Sequence, residues 1–169
     1  MSNKPLVGIL MGSDSDYDIM AEAARALKSF GIPFEMMVSS AHRSPERTAG
    51  YAREARKRGL RALIIGAGAA AHLAGVVSAE TTLPVIGVPI DSSALQGLDA
   101  LLATVQMPPG VPVATMGIGK AGATNAAILA AQIIGVTDAA MARRLTGLKE
   151  DMAEQVAAKA RKISASDFA

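Results

Sequence analysis

Five short, largely apolar runs alternate along the chain with stretches whose apolar positions recur every three or four residues. The runs are residues 6–11 (LVGILM), 34–38 (FEMMV), 62–65 (ALII), 84–88 (PVIGV) and 113–116 (VATM). A brief continuous apolar run bounded by turn residues predicts a strand covered on both faces. Between the runs, Met20, Ala23, Ala24 and Leu27 lie at helical spacing, and Gly31 stops that helix before Pro33. Ser44-Pro45 is a helix start, a capping serine followed by proline at the first helical position, and that helix is predicted to run to about Arg58 and end at Gly59. Further helices are predicted over 73–79, 97–104 and 121–134. Residues 106–112 (QMPPGVP) carry three prolines and a glycine and are predicted to be irregular. A last amphipathic helix over about 138–163 extends beyond the core of residues 6–135 and is expected to pack on a neighbouring subunit.

Strands alternating with helices predict an α/β fold, a three-layer, doubly wound parallel sheet with right-handed crossovers. With about five strands the expected order is 2-1-3-4-5, the flavodoxin-like arrangement, and the whole chain, 1–169, is expected to form one catalytic domain. Ligands in such sheets bind beyond the carboxyl ends of the strands, where the strand order reverses. Here that point lies between the first and third strands, with the loop after the second strand nearby. It selects three polar loops: 12–16 (GSDSD), 39–45 (SSAHRSP) and 66–75 (GAGAAAHLAG). Together they are expected to form one site for a phosphorylated small molecule.

Composition narrows the chemistry. Half of the residues are hydrophobic and 19% are charged, which suits a packed globular chain. The net charge is only +2, and the basic cluster Arg53, Arg56, Lys57, Arg58 and Arg61 has no interleaved aromatic residues. It reads as a solvated helix face, and no nucleic-acid partner is expected. The absence of cysteine removes disulfides, thiolate catalysis and thiolate metal ligands together. The first apolar run is too short for a signal peptide or a membrane span, so no membrane association and a cytoplasmic location are expected. Abundant small apolar residues with only two Tyr, three Phe and no Trp suggest that apolar surface is buried between subunits.

In GSDSD, Gly12 permits a tight turn, and Ser13 and Ser15 can donate hydrogen bonds to phosphate oxygens beside free N–H groups at a helix start. Asp16 is unsuited to face a phosphate and should cap the helix or accept from a ribose hydroxyl. A plain serine/aspartate cap with no ligand is the alternative. Asp14, Asp16 and Asp18 imitate the start of a calcium loop, but Ile19 and Arg25 stand where that loop needs glycine and glutamate. In GAGAAAHLAG the small residues either let backbone N–H groups approach a ligand or pack helix closely on sheet; the dinucleotide fingerprint fails for want of an acidic residue about twenty positions on. Both histidines, His42 and His72, fall just beyond strand ends. No third ligand accompanies them, so general acid–base work suits them better than a metal. Arg43 can clamp a phosphate.

The segments MGSDSD, SSAHRSPER, GAGAAAHLAG, GVPIDSSALQGLDALLATVQMPPGVPVAT and GIGKAGATNAAILAAQI, in one collinear order, resemble the N5-carboxyaminoimidazole ribonucleotide mutase family of purine biosynthesis, class I, bacterial type. The resemblance implies an isomerase that needs no cofactor or metal. It interconverts N5-carboxyaminoimidazole ribonucleotide and 4-carboxy-5-aminoimidazole ribonucleotide by decarboxylation and recarboxylation within a closed pocket. By the same resemblance His42 is the proton shuttle, and Ser13, Asp16 and Arg43 bind the nucleotide with help from Ser15 and Ser40. Gly68, Ala70, His72 and Leu73 belong to the segment that closes around the carboxylate and carbon dioxide. The family forms homo-octamers, and its substrate comes from an upstream ATP-dependent synthetase. Two other readings stand beside this one: a carboxylase that uses free carbon dioxide on aminoimidazole ribonucleotide, and a flavodoxin-like nucleotide-binding module without catalysis.

The family loop usually reads GAGGAAHLPG, so Ala69 replaces a glycine and Ala74 a proline, and Ser44 stands where threonine is commoner. If position 69 needs a positive φ, alanine there strains the loop.

Overall fold

A computed structural model describes residues 4–166, with side chains described to residue 163. Five strands, β1 (Val7–Met11), β2 (Phe34–Val38), β3 (Ala62–Gly68), β4 (Val85–Ile90) and β5 (Ala114–Thr115), form one sheet in the order β2-β1-β3-β4-β5. Every neighbouring pair is parallel, with Met11 of β1 opposite Val38 on one side and Gly66 on the other. The connections carry α1 (Tyr17–Ser29), α2 (Pro45–Ala55), α3 (Leu73–Glu80) and α4 (Leu98–Val105), followed after β5 by α5 (Gly119–Gly135) and α6 (Ala139–Ser166). The expected architecture and strand order are both present.

The alternation of side chains along each strand divides the core into two layers. Val7, Ile9 and Met11, with Ile64, Ile86 and Val88, face α1 and α5. Leu10, Leu63, Ile65 and Val85 face the other way, onto α2, α3 and Ala100 of α4. On the first side the α5 alanines 123, 126, 127, 130 and 131 are all fully buried, so their short side chains let that helix lie close to the sheet and to α1. Gly66 serves the same closeness: a Cβ there would sit 2.3 Å from the Met20 sulfur.

Several details differ from the sequence reading, among them the end of α2, at Ala55 rather than Arg58, and the bounds of β4. β3 continues through Gly66 and Ala67 to Gly68, because these small residues still pair with Val88, Pro89 and Ile90 of β4. β5 shortens to two residues, consistent with an edge position paired on one side. Ser44 precedes α2 as expected, yet its side chain makes no capping bond to the helix; its Oγ turns back to Ser40 instead. The basic cluster is tied to its neighbours, with Arg53 paired to Glu80 at 2.7 Å, Arg56 bonded to Thr82, and Arg58 paired to Glu35. Among the described residues no helix is long and apolar enough to cross a membrane.

Candidate active site

The sheet order reverses at β1, whose neighbours are β2 and β3. A cleft of about 370 Å³ opens beyond the carboxyl ends of these strands, lined by parts of the three loops singled out from the sequence. Of the candidate residues, Ser13, Ser15, Asp16, Ser40, His42, Arg43, Gly68, Ala70 and Leu73 all reach it. His72 stands just behind, against His42.

After β1 the chain makes a single 3-10 turn, Asp14–Asp16, before α1 begins. The turn closes on itself. Asp16 Oδ2 accepts the Ser13 N–H at 3.1 Å, and Ser13 Oγ accepts the Ser15 N–H at 3.4 Å. Asp16 therefore caps this turn; it makes no side-chain capping bond to α1. Its carboxyl is buried, and that burial pushes it above the usual carboxylate range, against the pull of the Ser13 and Gly12 backbone N–H groups. Ser15 is exposed at the cleft mouth.

The loop after β2 is tied at its neck and projects His42 and Arg43 outward. Ser44 Oγ donates to Ser40 O at 3.0 Å and accepts the Ser40 N–H at 3.2 Å. Arg43 is set by its own N–H on Ser40 Oγ at 3.2 Å, and its Nη2 donates to Gly12 O at 3.2 Å, joining the second loop to the first. A guanidinium is thereby placed beside the GSDSD turn, where an anionic group would meet it.

The glycine-rich loop supplies the third wall. A Cβ on Gly68 would fall 1.8 Å from Ser92 Oγ and 3.1 Å from Ile90 O, so glycine is required for that close approach. Ala69 adopts φ +50°, the left-handed conformation that the sequence raised as the condition for strain. Leu73 is buried at the start of α3, while Ala70 is exposed in the cleft wall. His42 Nε2 and His72 Nδ1 are 3.0 Å apart with the rings edge to face. That bond needs a proton on one nitrogen and a lone pair on the other, so the two rings share a proton position directly at the cleft. Among the described residues no group of three His, Asp or Glu side chains is placed to hold a metal ion.

Ser92 was missed by sequence reasoning. It lies two residues beyond β4, in the cleft wall, and the strand-end rule that selected the other loops applies to it equally.

The family model for AIR carboxylase matches residues 6–155. The chain belongs to the AIR carboxylase family. It is 52% identical over 162 residues to a protein of Pyrococcus horikoshii named N5-carboxyaminoimidazole ribonucleotide mutase, covering 96% of this chain and 90% of that protein. A Bacillus subtilis protein of the same name is 54% identical, with 90% of this chain and 94% of that one covered. A Saccharomyces cerevisiae protein named phosphoribosylaminoimidazole carboxylase is 51% identical over 95% of this chain, which spans 28% of the yeast protein. Among solved structures, Treponema denticola PurE superposes with a TM-score of 0.85 at 30% identity, covering 94% of this chain and 98% of that one. AIR carboxylase family members thus share both this sequence and this fold over nearly the whole chain.

Proposed function

We propose that this AIR carboxylase family chain is an isomerase of purine biosynthesis, interconverting N5-carboxyaminoimidazole ribonucleotide and 4-carboxy-5-aminoimidazole ribonucleotide. The observation that carries the reading is the convergence of His42, Arg43, the GSDSD turn and the small-residue loop on one cleft, in a chain 52–54% identical over nearly its full length to proteins named as that mutase. Ser13, Ser15, Ser40 and Arg43 hold the phosphorylated sugar, with the buried Asp16 shaping the turn and accepting from the ribose. The wall of Gly68, Ala70 and Leu73, with His72 behind it, encloses the carboxylate.

The proton account balances on one residue. Protonated His42 delivers its proton to the exocyclic nitrogen as the N–C bond to the carboxylate breaks, leaving aminoimidazole ribonucleotide and carbon dioxide. The ring carbon then attacks carbon dioxide, and neutral His42 removes the proton from that carbon. The imidazole ends as it began, so neither a cofactor nor a metal is required for the proton transfers. Enclosure keeps carbon dioxide from escaping between the two steps.

The whole chain serves as one catalytic domain within a homo-octamer, in the cytoplasm. Support for assembly comes from α4, where Leu98, Leu102 and Val105 form an exposed stripe at helical spacing, with Leu95 and Ile118 also exposed. Met152 and Val156 are exposed on α6, as expected of a helix that packs on a neighbour. The carbamate substrate is supplied by an ATP-dependent synthetase.

The test is an absorbance assay of carbon-linked carboxylate formation from the carbamate ribonucleotide, and separately from aminoimidazole ribonucleotide with bicarbonate. Rapid conversion of the first with little of the second is expected. The reverse pattern would move the chain to the carboxylase reading, which the yeast relative's name favours. His42→Asn is expected to retain substrate binding while turnover falls by about a hundredfold or more. Normal turnover in that variant would sink the role of His42.

A further inference from the structure

His42 and Arg43 are both exposed, so little packing holds them. The five-residue loop that carries them is closed at its neck by Ser40 and Ser44. That closure fixes the loop's internal shape. It does not set the loop against the sheet edge, and the links to the other two loops run through Arg43 and His42 themselves.

Directly beneath the neck lies a pair of hydroxyls that the proposed chemistry does not use. Ser39 and Thr48 are 1% and 0% exposed, and their oxygens are 2.8 Å apart. Thr48 Oγ1 donates to Ser44 O at 3.2 Å, beside the Thr48 backbone N–H on the same carbonyl at 3.1 Å, which leaves the hydroxyl's lone pair to accept from Ser39 Oγ–H. The Ser39 N–H in turn donates to Met11 O at 2.9 Å, on the last residue of β1. A continuous chain of bonds therefore runs from the end of β1, through Ser39 and Thr48, to the carbonyl of Ser44 at the far side of the neck. His42 and Arg43 lie between its two attachment points in sequence. Nothing in the burial pattern demands two hydroxyls here; a buried pair of this size could be apolar at little cost in stability.

We infer that Ser39 and Thr48 are positioning residues for this active site, a buried hydroxyl clip that sets the height and tilt of the His42–Arg43 loop over the cleft. The inference rests on the reading of His42 as the proton carrier. Turnover depends on placement within fractions of an ångström, whereas ground-state binding, shared among several loops, depends on it less. Loss of the clip should therefore fall on kcat more than on KM.

The experiment compares Ser39→Ala, Thr48→Val, their double variant and Thr48→Ser, alongside His42→Asn, measuring kcat, KM and thermal unfolding for each. Thr48→Val should lower kcat about tenfold with KM within about threefold, because the loop is displaced but its groups remain. Ser39→Ala should lower kcat in the same direction, and the double variant should lose no more than the worse single, since both break one clip. Thr48→Ser keeps the hydroxyl and should restore kcat to within about twofold. The double variant also separates positioning from stability. It leaves no orphaned Ser39 hydroxyl, so its unfolding temperature should recover above that of Thr48→Val while its kcat stays low. A kcat that recovers together with the unfolding temperature, or a change confined to KM, would overturn the inference. If His42→Asn keeps full turnover, the proton-carrier reading fails instead, whatever the clip variants show.

Discussion

Ala69 offers a direct measure of strain in the cleft wall. It adopts φ +50°, and a side chain with a Cβ pays about 1–2 kcal/mol to sit in the left-handed region. Its methyl group is exposed, so replacement by glycine forfeits little burial. Glycine does bring back unfolded-state freedom, worth about 0.4–1 kcal/mol against the variant. At the middle of both ranges the difference leaves Ala69→Gly more stable by about 0.8 kcal/mol. For a chain of 169 residues that converts to a rise of about 2–3 °C in Tm. Thermal unfolding should be compared at one protein concentration and without ligand, since assembly and binding both shift the midpoint. An unchanged or lower Tm would mean that the loop does not hold position 69 at positive φ in solution, and the strain argument would fall.

Gly122→Ala should act in the opposite direction. Within a helix such a change normally stabilises by up to about 1 kcal/mol, but here the new Cβ would lie 1.7 Å from the Gly117 carbonyl oxygen. A drop in Tm is expected, and a rise would show that the turn before α5 gives way freely. Asp16→Asn keeps an oxygen for the Ser13 N–H and removes a buried charge. Burial raises the Asp16 carboxyl above its ordinary 3.8, so its contribution to stability is favourable below that value and is lost as pH rises through the folded value. The variant should therefore be more stable than the parent at pH 7, with the advantage vanishing as pH falls toward the ordinary value, while turnover drops; an advantage independent of pH would contradict the burial argument.

The strands were legible because each run is largely apolar and short: β1, β3 and β4 are buried on both faces, while β2 and β5 at the sheet edges are only partly buried yet keep the same pattern. The region around Gly66–Gly68 was harder. Three small residues read as a loop, yet they extend β3 by pairing with Val88, Pro89 and Ile90 of β4, and Met20 and Ser92 occupy the space where side chains at 66 and 68 would be. That fit depends on residues distant in sequence. Ser44-Pro45 was legible as a helix start, but the pattern could not say that the serine oxygen would close a loop neck and leave the helix uncapped. Residue types in the three loops pointed to the cleft; the pairing of His42 with His72, thirty residues apart, required the parallel sheet that sets their strand ends on either side of β1.

The same geometry explains how so exposed a set of groups can be ordered. Each cleft loop leaves the sheet from a strand end held by its neighbours: Gly12 N–H donates to Gly66 O at 3.1 Å and Ser39 N–H to Met11 O at 2.9 Å, so β2, β1 and β3 are locked across the reversal point. Above that line the loops touch through Arg43 on Gly12 O and His42 on His72. Both bonds use groups that the proposed reaction also needs, one for the anion and one for the proton. A ligand that drew Arg43 or His42 toward itself would weaken the links between the loops at the moment of binding. The hydrogen bonds that do not compete with substrate are those below the surface, at the strand ends and between Ser39 and Thr48. For a site whose working groups must exchange partners, placement has to be carried by the buried layer, and in this chain that layer is built of backbone bonds and two hydroxyls.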